Sequence, residues 1–278
     1  MTRTANTPIA LTIAGSDSGG GAGIQADLKT FSALGAYGAS VISALTAQNT
    51  REVRAIQPVP VEMIQAQLDA VFDDLDVSAI KTGMLGDAGT VAVVARSLAA
   101  RPSRPLVIDP VMIAKSGDAL LQQSAVEVLK SELLPQATLL TPNLPEAAVL
   151  LGCDESGSLA EMHQQVRALH ALGSQAVLLK GGHLNDAEQS IDLFFDGRNC
   201  IELAAARLPT NNTHGTGCTL ASAICALLAR GWPLAEAVAG GKRYIGAAIA
   251  AADALTVGRG HGPVHHFHAL WQQHGIDP

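Results

Sequence analysis

A glycine turn that ends in a cysteine is the strongest chemical motif of the chain. The segment Thr213–Cys218 reads T-H-G-T-G-C and runs directly into a helical pattern with Leu220 and Ile224 on one face. Backbone N–H groups at a helix N-terminus lack partners within the helix and attract anions. A thiol in the first helical turn typically has a lowered pKa. The candidate residues for an anion site with a reactive thiol are Gly215, Thr216, Gly217 and Cys218.

A second glycine loop spans Gly15–Gly23, with five glycines in nine residues, and lets backbone approach a ligand closely. Its G-x-G-x-x-A pattern, starting at Gly21, loosely matches the dinucleotide-binding fingerprint. The segment Val41–Thr50 has no carboxylate for the ribose, which argues against that interpretation. No G-x-x-x-x-G-K-[ST] motif exists, because the single Gly-Lys pair of the chain is followed by Arg243, and a P-loop is therefore excluded.

Asp27 lies within the apolar stripe of the helix that follows this loop, between Ile24, Phe31 and Leu34. A carboxylate in such a stripe needs a partner. One interpretation is a ligand-binding carboxylate. The other is a first-turn aspartate that the helix dipole and local N–H groups stabilise.

Gln48 follows the apolar run Ile42–Ala47 at the carboxyl end of a predicted strand. A side-chain amide donates and accepts hydrogen bonds, which suits a heterocycle with an amine beside a ring nitrogen. Without a ligand, the same amide would hydrogen-bond its own turn. Met84 and Val111 occupy similar positions and could wall a flat ring, although each alone is an ordinary packing residue.

Two further segments place polar groups after predicted strands. Thr141–Glu146 reads T-P-N-L-P-E, which is typical of a helix N-cap with a carboxylate at the third helical position, and capping alone would explain it. Lys180 follows the strand Ala176–Leu179 and precedes two glycines. A lone lysine is usually solvated, but a cation beside paired glycines suits a polyphosphate.

The elements that must position these residues alternate between short apolar runs and segments of helical period. The predicted strands are Ile9–Ala14, Ser40–Ala47, Ala79–Lys81, Leu106–Ile108, Thr138–Leu140 and Ala176–Leu179. The predicted helices are Ile24–Leu34, Met63–Phe72, Val91–Leu98, Val126–Leu133, Met162–Leu172, Thr219–Arg230, Leu234–Ala252 and Phe267–Gln273. This alternation predicts an α/β fold with a mostly parallel sheet between helical layers, in one domain over residues 1–278.

The pair Ile191–Phe195 and Cys200–Ala204 predicts an antiparallel hairpin at the edge of the sheet. Ligands of such folds bind at the carboxyl ends of the parallel strands, where the candidate residues lie.

Composition excludes several functions. A net charge of −7 without a basic cluster excludes nucleic acid as a partner. Four cysteines without a C-x-x-C pair indicate neither disulfides nor zinc, and no apolar run approaches the ~18 residues of a membrane span. We expect a cytoplasmic protein. The cluster His261, His265, His266 and His268 lacks accompanying acidic or cysteine ligands, so packing at the surface or a subunit interface is favoured over a metal site.

Taken in order, eight segments resemble the bacterial hydroxymethylpyrimidine/phosphomethylpyrimidine kinases of the ribokinase-like superfamily. They are Gly15–Asp27, Ala47–Thr50, Lys81–Leu85, Asp109–Met112, Lys115–Asp118, Thr141–Glu146, Lys180–His183 and His214–Cys218. The resemblance implies a three-layer α/β/α sandwich, usually a homodimer. It also implies phosphorylation of 4-amino-5-hydroxymethyl-2-methylpyrimidine and then of its monophosphate, with ATP and Mg²⁺, in thiamine diphosphate biosynthesis.

The same resemblance implies roles for individual residues. Those for the aminopyrimidine are Gln48 and Asp27 at its polar edge and Gly15, Met84 and Val111 around the ring. Those for ATP are Lys180, Lys242, Asn143 and Thr216, and those for Mg²⁺ are Glu146, Asn143 and Asp109. The catalytic set is Cys218, which accepts the hydroxymethyl proton, with Gly215, Gly217 and Lys180. Residues Met112–Asp118 correspond to a flap over the substrate.

Three other functions stay open. A pyridoxal kinase could share this pattern, although some such relatives carry a second cysteine in the flap and residues 112–115 have none. A non-catalytic binding protein would be expected to have lost Asn143, Glu146 or Lys180, which are all present. A dinucleotide oxidoreductase lacks its ribose carboxylate.

Overall fold

The fold contains one large sheet at its centre and one small sheet beside it. A computed structural model describes residues 6–112, 121–182, 184 and 189–276. Within these residues the strands are β1 (Ile9–Ala14), β2 (Tyr37–Ile42), β3 (Ala44–Gln48), β4 (Val53–Pro58), β5 (Ala79–Thr82), β6 (Leu106–Ile108), β7 (Leu139–Leu140), β8 (Val177–Leu179), β9 (Gln189–Phe195) and β10 (Cys200–Ala206). The large sheet has the order β10-β9-β8-β7-β6-β5-β1-β2, and β3 pairs with β4 in a small separate sheet.

The large sheet is mostly parallel, as predicted. Strands β2, β1, β5, β6, β7 and β8 run in the same direction. Strand β9 runs antiparallel to β8, and β10 runs antiparallel to β9 at the sheet edge. The predicted edge hairpin is therefore confirmed.

Helices cover both faces of this sheet. They are α1 (Gly23–Ala33), α2 (Val61–Asp74), α3 (Ala88–Ala99), α4 (Gln123–Val128), α5 (Leu144–Leu151), α6 (Leu159–His170), α7 (Thr216–Ala229), α8 (Leu234–Ala250) and α9 (His268–Gln273). One buried hydrophobic cluster packs the helices α2, α3, α4, α5 and α6 against one face of the large sheet. The other packs α1, α7 and α8 against the opposite face. Side chains alternate between the faces along β1, where Leu11 and Ile13 enter the first cluster and Ala10 enters the second. The three-layer prediction is confirmed.

The prediction of one strand over Ser40–Ala47 is wrong. The chain bends at Ser43, whose N–H donates to the Ala14 carbonyl at 3.0 Å and whose hydroxyl donates to the Met84 carbonyl at 2.6 Å. Strand β2 ends before this point in the large sheet, and β3 begins after it and pairs with β4. A continuous apolar run gives no indication of such a bend, because the bend is caused by contacts between segments that are distant in sequence.

The loop at residues 258–262 ties two parts of the site together. Gly260 N–H donates to Thr50 Oγ1 at 3.1 Å, and His261 N–H donates to the Thr50 carbonyl at 2.9 Å. Gly262 N–H donates to Asn212 Oδ1 at 3.0 Å. The hairpin between β3 and β4 is thereby fixed to the segment that leads into α7.

Two histidines of the cluster pack inside the chain, whereas His261 is exposed and His268 is half-buried. His265 and His266 are buried, and His266 Nε2 lies 3.1 Å from the hydroxyl of Thr219 in α7. Burial lowers the pKa of His266 to about 3. Burial lowers the pKa of His265 as well, so His265 and His266 are neutral packing residues at neutral pH.

Two other findings concern the chain as a whole. Among the described residues, no helix combines the length and the apolar character that crossing a membrane requires. All four cysteines are free thiols; Cys225 is buried, Cys200 and Cys218 are half-buried, and Cys153 is exposed.

Candidate active site

A cavity of about 1150 Å³ lies at the carboxyl ends of the parallel strands. It brings together every predicted site residue except Asp27. The residues that line it are Gly15, Gln48, Met84, Asp109, Val111, Asn143, Glu146, Lys180, Gly215, Thr216, Gly217, Cys218 and Lys242. The strands end at one edge of the sheet, and this shared edge collects residues that are far apart in sequence.

The N-terminus of α7 forms part of the cavity wall. Gly215 is the N-cap residue with φ of 78°, a conformation that favours glycine. A Cβ atom at Gly215 would lie 1.8 Å from the Gly21 carbonyl oxygen, so the two glycine loops touch through backbone alone. One at Gly217 would lie 3.4 Å from Lys180 Nζ. The first N–H groups and the positive dipole end of α7 therefore lie beside an ammonium group, which suits an anion.

The Cys218 thiol is not acidic in this structure. Burial raises its pKa to about 11; the Lys81 ammonium opposes this shift, and the Asp27 and Asp109 carboxylates add to it. The prediction that the first helical turn lowers this pKa is therefore wrong. The N-terminal dipole is outweighed because the half-buried residue has lost part of its hydration and its thiol interacts with two carboxylates.

Lys180 lies between two carboxylates. Its Nζ is 2.9 Å from Asp109 Oδ1 and 3.9 Å from Glu146 Oε2. Burial alone would lower the pKa of Lys180, but the two carboxylates outweigh burial and raise it. Burial raises the pKa of Glu146 to about 7, with Lys180 opposing and Asp109 adding to the shift.

The oxygen atoms here suit a hard cation. Asp109 Oδ2 is buried, has no hydrogen-bond partner and faces the cavity wall that Gly217 also forms. Mg²⁺ is typically held by one or two carboxylates together with substrate phosphates and water. The described residues contain no group of three or more His, Cys, Asp or Glu side chains placed to hold a metal. The site therefore fits a cation that phosphate and water also bind, with Asp109 and Glu146 as candidate carboxylates.

Asn143 and Glu146 form a capping box at the start of α5, as the motif predicts. Glu146 N–H donates to Asn143 Oδ1, and Asn143 N–H donates to Glu146 Oε2, both at 2.8 Å. Capping thus positions both side chains at the cavity without excluding a ligand role.

Asp27 requires a correction, because it does not line the cavity. Its side chain is completely buried and accepts hydrogen bonds from Thr12, Lys81 and Ser222. The prediction that a carboxylate in the apolar stripe needs a partner is confirmed, and that partner is Lys81. Direct contact between Asp27 and a substrate is not supported, since all its interactions are internal.

Sequence reasoning missed Asp17 and His214, which line the cavity beside Gln48. Asp17 accepts hydrogen bonds from the N–H groups of Gly19, Gly21 and Ala22 at 2.8 to 3.0 Å. His214 Nε2 lies 2.8 Å from Asp17 Oδ2 and 3.5 Å from Gln48 Nε2. An ionised carboxylate only accepts, so His214 donates to Asp17. The loop was interpreted from its glycines, so Asp17 was not identified as a functional residue. Its partner, His214, is distant in sequence, and no local motif indicates the pair.

The opposite end of the cavity carries both apolar side chains and an ion pair. Its apolar lining residues include Ala205, Leu208, Ile245 and Ile249. Lys242 Nζ donates to Asp192 Oδ2 at 2.5 Å, and Asp192 Oδ1 accepts from Gly181 N–H at 3.0 Å. A flat apolar group with a charged tail would fit between this end and the N-terminus of α7. Residues 113–118 of the predicted flap, and His183, lie outside the described residues.

Comparisons with known proteins agree with this geometry. A family model described as phosphomethylpyrimidine kinase matches residues 17–265. The chain is 58% identical to a hydroxymethylpyrimidine/phosphomethylpyrimidine kinase of Rhizobium meliloti, over 96% of this chain and 99% of that protein.

Two solved structures are similar as well. A phosphomethylpyrimidine kinase of Clostridium difficile is 42% identical with a TM-score of 0.75, over 85% of this chain and 97% of that one. A pyridoxal kinase of Bacillus subtilis, solved as an ADP complex, is 37% identical with a TM-score of 0.86, over 94% of this chain and 97% of that one.

Proposed function

Since the chain belongs to the phosphomethylpyrimidine kinase family, we propose that it phosphorylates 4-amino-5-hydroxymethyl-2-methylpyrimidine and then its monophosphate at the expense of ATP. The observation that supports this most directly is one cavity with the Gln48 amide at one end, apolar side chains and the Lys242–Asp192 pair at the other, and a helix N-terminus with Lys180 between them. Such a cavity suits two flat heterocycles with phosphoryl transfer in the middle. The product would serve thiamine diphosphate biosynthesis.

Gln48 is the proposed reader of the aminopyrimidine edge. Its amide has no strong partner, since Thr46 Oγ1 lies 3.4 Å from its Oε1 and the His214 nitrogen nearby is itself a donor. Met84 packs against Gly15, where an added Cβ would lie 2.3 Å from the Met84 methyl group. With Val111, these two residues form an apolar wall for the ring.

Positioning and electrostatics would supply most of the rate enhancement, as in other phosphoryl transfers. The N–H groups of residues 215–218 would stabilise the charge that develops on the γ-phosphoryl group. Lys180, Lys242, Asn143 and Thr216 would bind the phosphates of ATP. Asp109, Asn143 and Glu146 would hold Mg²⁺, which neutralises polyphosphate charge when bound.

Cys218 is the proposed acceptor of the hydroxymethyl proton. A thiol with a pKa of about 11 is almost fully protonated at neutral pH, so only a small thiolate fraction could act as base. The second substrate attacks with an ionised phosphate oxygen and needs no base. The two phosphorylations should therefore depend differently on Cys218.

Product analysis by mass spectrometry tests the assignment. The purified protein is incubated with Mg-ATP and, in separate reactions, hydroxymethylpyrimidine, its monophosphate and pyridoxal. Formation of the diphosphate from the monophosphate would support the proposal. Turnover of pyridoxal alone would favour a pyridoxal kinase, the second candidate suggested by the Bacillus subtilis structure.

We also propose that residues 1–278 form one domain and act as a homodimer in the cytoplasm. Free thiols fit a reducing compartment. Leu45 and Ile56 of the small sheet are 51% and 40% exposed, and such side chains would be covered in a dimer. Light scattering coupled to gel filtration measures the mass, and replacing Leu45 with Asp should yield the monomer.

A further inference from the structure

The backbone of Gln48 is fixed where its side chain enters the cavity. Strand β3 has an irregularity in its pairing between Ala47 and Gln48, and such bulges change the direction of a side chain. Gln48 N–H donates to Ser18 Oγ at 2.8 Å, and the Ser18 hydroxyl donates to the Gln48 carbonyl at 2.6 Å. What its neighbours still decide is the orientation of the side-chain amide.

Thr46 faces one end of this amide and can only accept a hydrogen bond from it. The Thr46 hydroxyl donates to the Ser16 carbonyl at 2.8 Å. A hydroxyl carries one proton and a backbone carbonyl carries none, so this proton is committed to Ser16. Thr46 Oγ1 lies 3.4 Å from Gln48 Oε1 and turns only lone pairs toward it. This end of the amide therefore needs an N–H donor.

His214 faces the other end and can only donate. Its Nε2 donates to Asp17 Oδ2 at 2.8 Å, and the same carboxylate accepts three backbone N–H groups. The imidazole has little room to move, since a Cβ atom at Gly21 would lie 2.4 Å from His214 Cδ2. His214 Nε2 lies 3.5 Å from Gln48 Nε2, so two donors face each other. This end of the amide therefore needs an acceptor.

A half-turn about the terminal bond of Gln48 satisfies both neighbours. It exchanges the oxygen and the nitrogen of the amide while the outline of the side chain stays nearly the same. The oxygen then accepts from His214, and the nitrogen donates to Thr46. One lone pair of the oxygen and one N–H of the nitrogen are left for a ligand, side by side on the free edge of the amide. Gln48 lines the cavity, so this edge is available there.

We propose that His214 and Thr46 are positioning residues that determine specificity: they hold the Gln48 amide with its oxygen toward His214 and its nitrogen toward Thr46. This inference rests on the proposed function, in which Gln48 binds the aminopyrimidine. The ring cannot turn over in the site, because its hydroxymethyl group must reach the N-terminus of α7. The fixed amide therefore accepts from the 4-amine and donates to the neighbouring ring nitrogen. A 4-oxo ring exchanges donor and acceptor, so like groups would face each other at both positions.

Binding to the full-length protein, measured by isothermal titration calorimetry without ATP, tests this role. The ligands are 4-amino-5-hydroxymethyl-2-methylpyrimidine and its 4-oxo analogue. The wild type should bind the amino ring about 10²-fold or more tightly than the 4-oxo ring, because the wrong pattern leaves polar groups unpaired.

Thr46→Val and His214→Phe each remove one of the two contacts that orient the amide. Each should lower the preference for the amino ring by about fivefold or more, the effect of losing one hydrogen bond. Affinity for the 4-oxo ring should rise while that for the amino ring falls, whereas simple damage to the site would weaken both. Thr46→Ser keeps the hydroxyl and is the matched control, with the preference of the wild type.

An unchanged preference in Thr46→Val and His214→Phe would overturn the inference, as would equal binding of both rings by the wild type. His214→Phe leaves Asp17 with its three backbone donors. Thr46→Val, which keeps the shape of the side chain, answers the question if His214→Phe does not fold. Failure of the proposed function would show separately, as absent phosphorylation of the amino ring by the wild type with Mg-ATP.

Discussion

The imidazole of His214 donates to the carboxylate of Asp17 at 2.8 Å across 197 positions of sequence. Asp17 belongs to the glycine loop after β1, and His214 directly precedes the turn at the start of α7. The same carboxylate holds three N–H groups of its own loop. One side chain thus organises the glycine loop after β1 and joins it to the N-terminus of α7.

Asp17→Asn should destabilise the protein at neutral pH by about 1–3 kcal/mol, the effect of weakening buried hydrogen bonds to a charged group. Burial alone would raise the pKa of Asp17, but the contact with His214 and the backbone N–H groups lowers it below its ordinary value. The ionised form therefore adds stability above a pH of about 4, and this stability is lost as the pH falls through the folded pKa. Urea unfolding at pH 7 and pH 3 checks this, with His214→Gln as a partial disruption. An equal difference between wild type and Asp17→Asn at both pH values would contradict it.

Cys218→Ala should slow the first phosphorylation by about 10²–10⁴-fold, the usual contribution of a positioned base. The second phosphorylation should be affected less, because its attacking oxygen is already ionised. Initial rates on the two pyrimidine substrates measure both steps. Cys225→Ala, which removes a buried thiol from the same helix, is the control and should leave both rates unchanged. A loss below about tenfold in the first step would show that the thiol is not the base.

The first phosphorylation should accelerate as the pH rises from 7 to 9. The pKa of Cys218 is about 11, so its thiolate fraction grows about tenfold for each pH unit below that value. Initial rates at saturating ATP across this range test the prediction. The increase should be absent in Cys218→Ala and in the second phosphorylation, and a flat wild-type profile would count against a thiolate base.

In the presence of EDTA, the free energy of unfolding of Glu146→Gln should increase relative to that of the wild type as the pH rises from about 4.5 through 7. Burial raises the folded pKa of Glu146 to about 7, so its protonated form adds stability that is fully present below the unfolded value of 4.5 and is lost as the pH rises through 7. Glutamine retains the capping box.

Thermal unfolding from pH 4 to 8 measures the difference between Glu146→Gln and wild type. A difference that does not change with pH would be evidence against a raised pKa. Added Mg²⁺ at pH 8 should raise the Tm of the wild type more than that of the variant if Glu146 holds the cation.

Lys242→Met should raise the KM for ATP by about tenfold or more, because a charge-assisted hydrogen bond to phosphate contributes about 1.5–3 kcal/mol. The KM for the pyrimidine should stay unchanged, since Lys242 lies with Asp192, Ile245 and Ile249 at the end of the cavity proposed for ATP. Steady-state kinetics with each substrate varied in turn separates the two constants. Lys130→Met is the control, since Lys130 pairs with Glu127 and does not line the cavity. Equal increases in both KM values would exclude a specific role at ATP.

Features that depend on a local sequence pattern, or on the alternation of strands and helices, could be predicted from the sequence. Alternating apolar runs predicted the parallel sheet, and the ends of those runs predicted which residues would meet at the cavity. The N-cap pattern at Asn143 and Glu146 was interpreted correctly because both partners lie within one turn. Strand β4 went unpredicted, as its residues are half-buried or exposed and show no apolar run.

What depends on distant contacts could not be predicted. The apolar stripe around Asp27 indicated that a partner was needed, but Lys81 is 54 positions away and its identity follows only from the fold. The thiol pKa of Cys218 was predicted with the wrong sign, because the helix dipole is a local feature and the burial of the sulfur is not. His214 was not identified either, because its partner, Asp17, is distant in sequence.

The backbone contact between Gly21 and Gly215 restricts which residues the two loops can carry at these positions. Side chains are excluded at both positions, since a Cβ at Gly21 would lie 2.4 Å from the His214 ring and one at Gly215 would overlap the Gly21 carbonyl. A larger residue at either position would require the other loop to move. A saturation library of the whole chain should therefore return glycine alone at both codons, although neither residue has a side chain with which to bind anything.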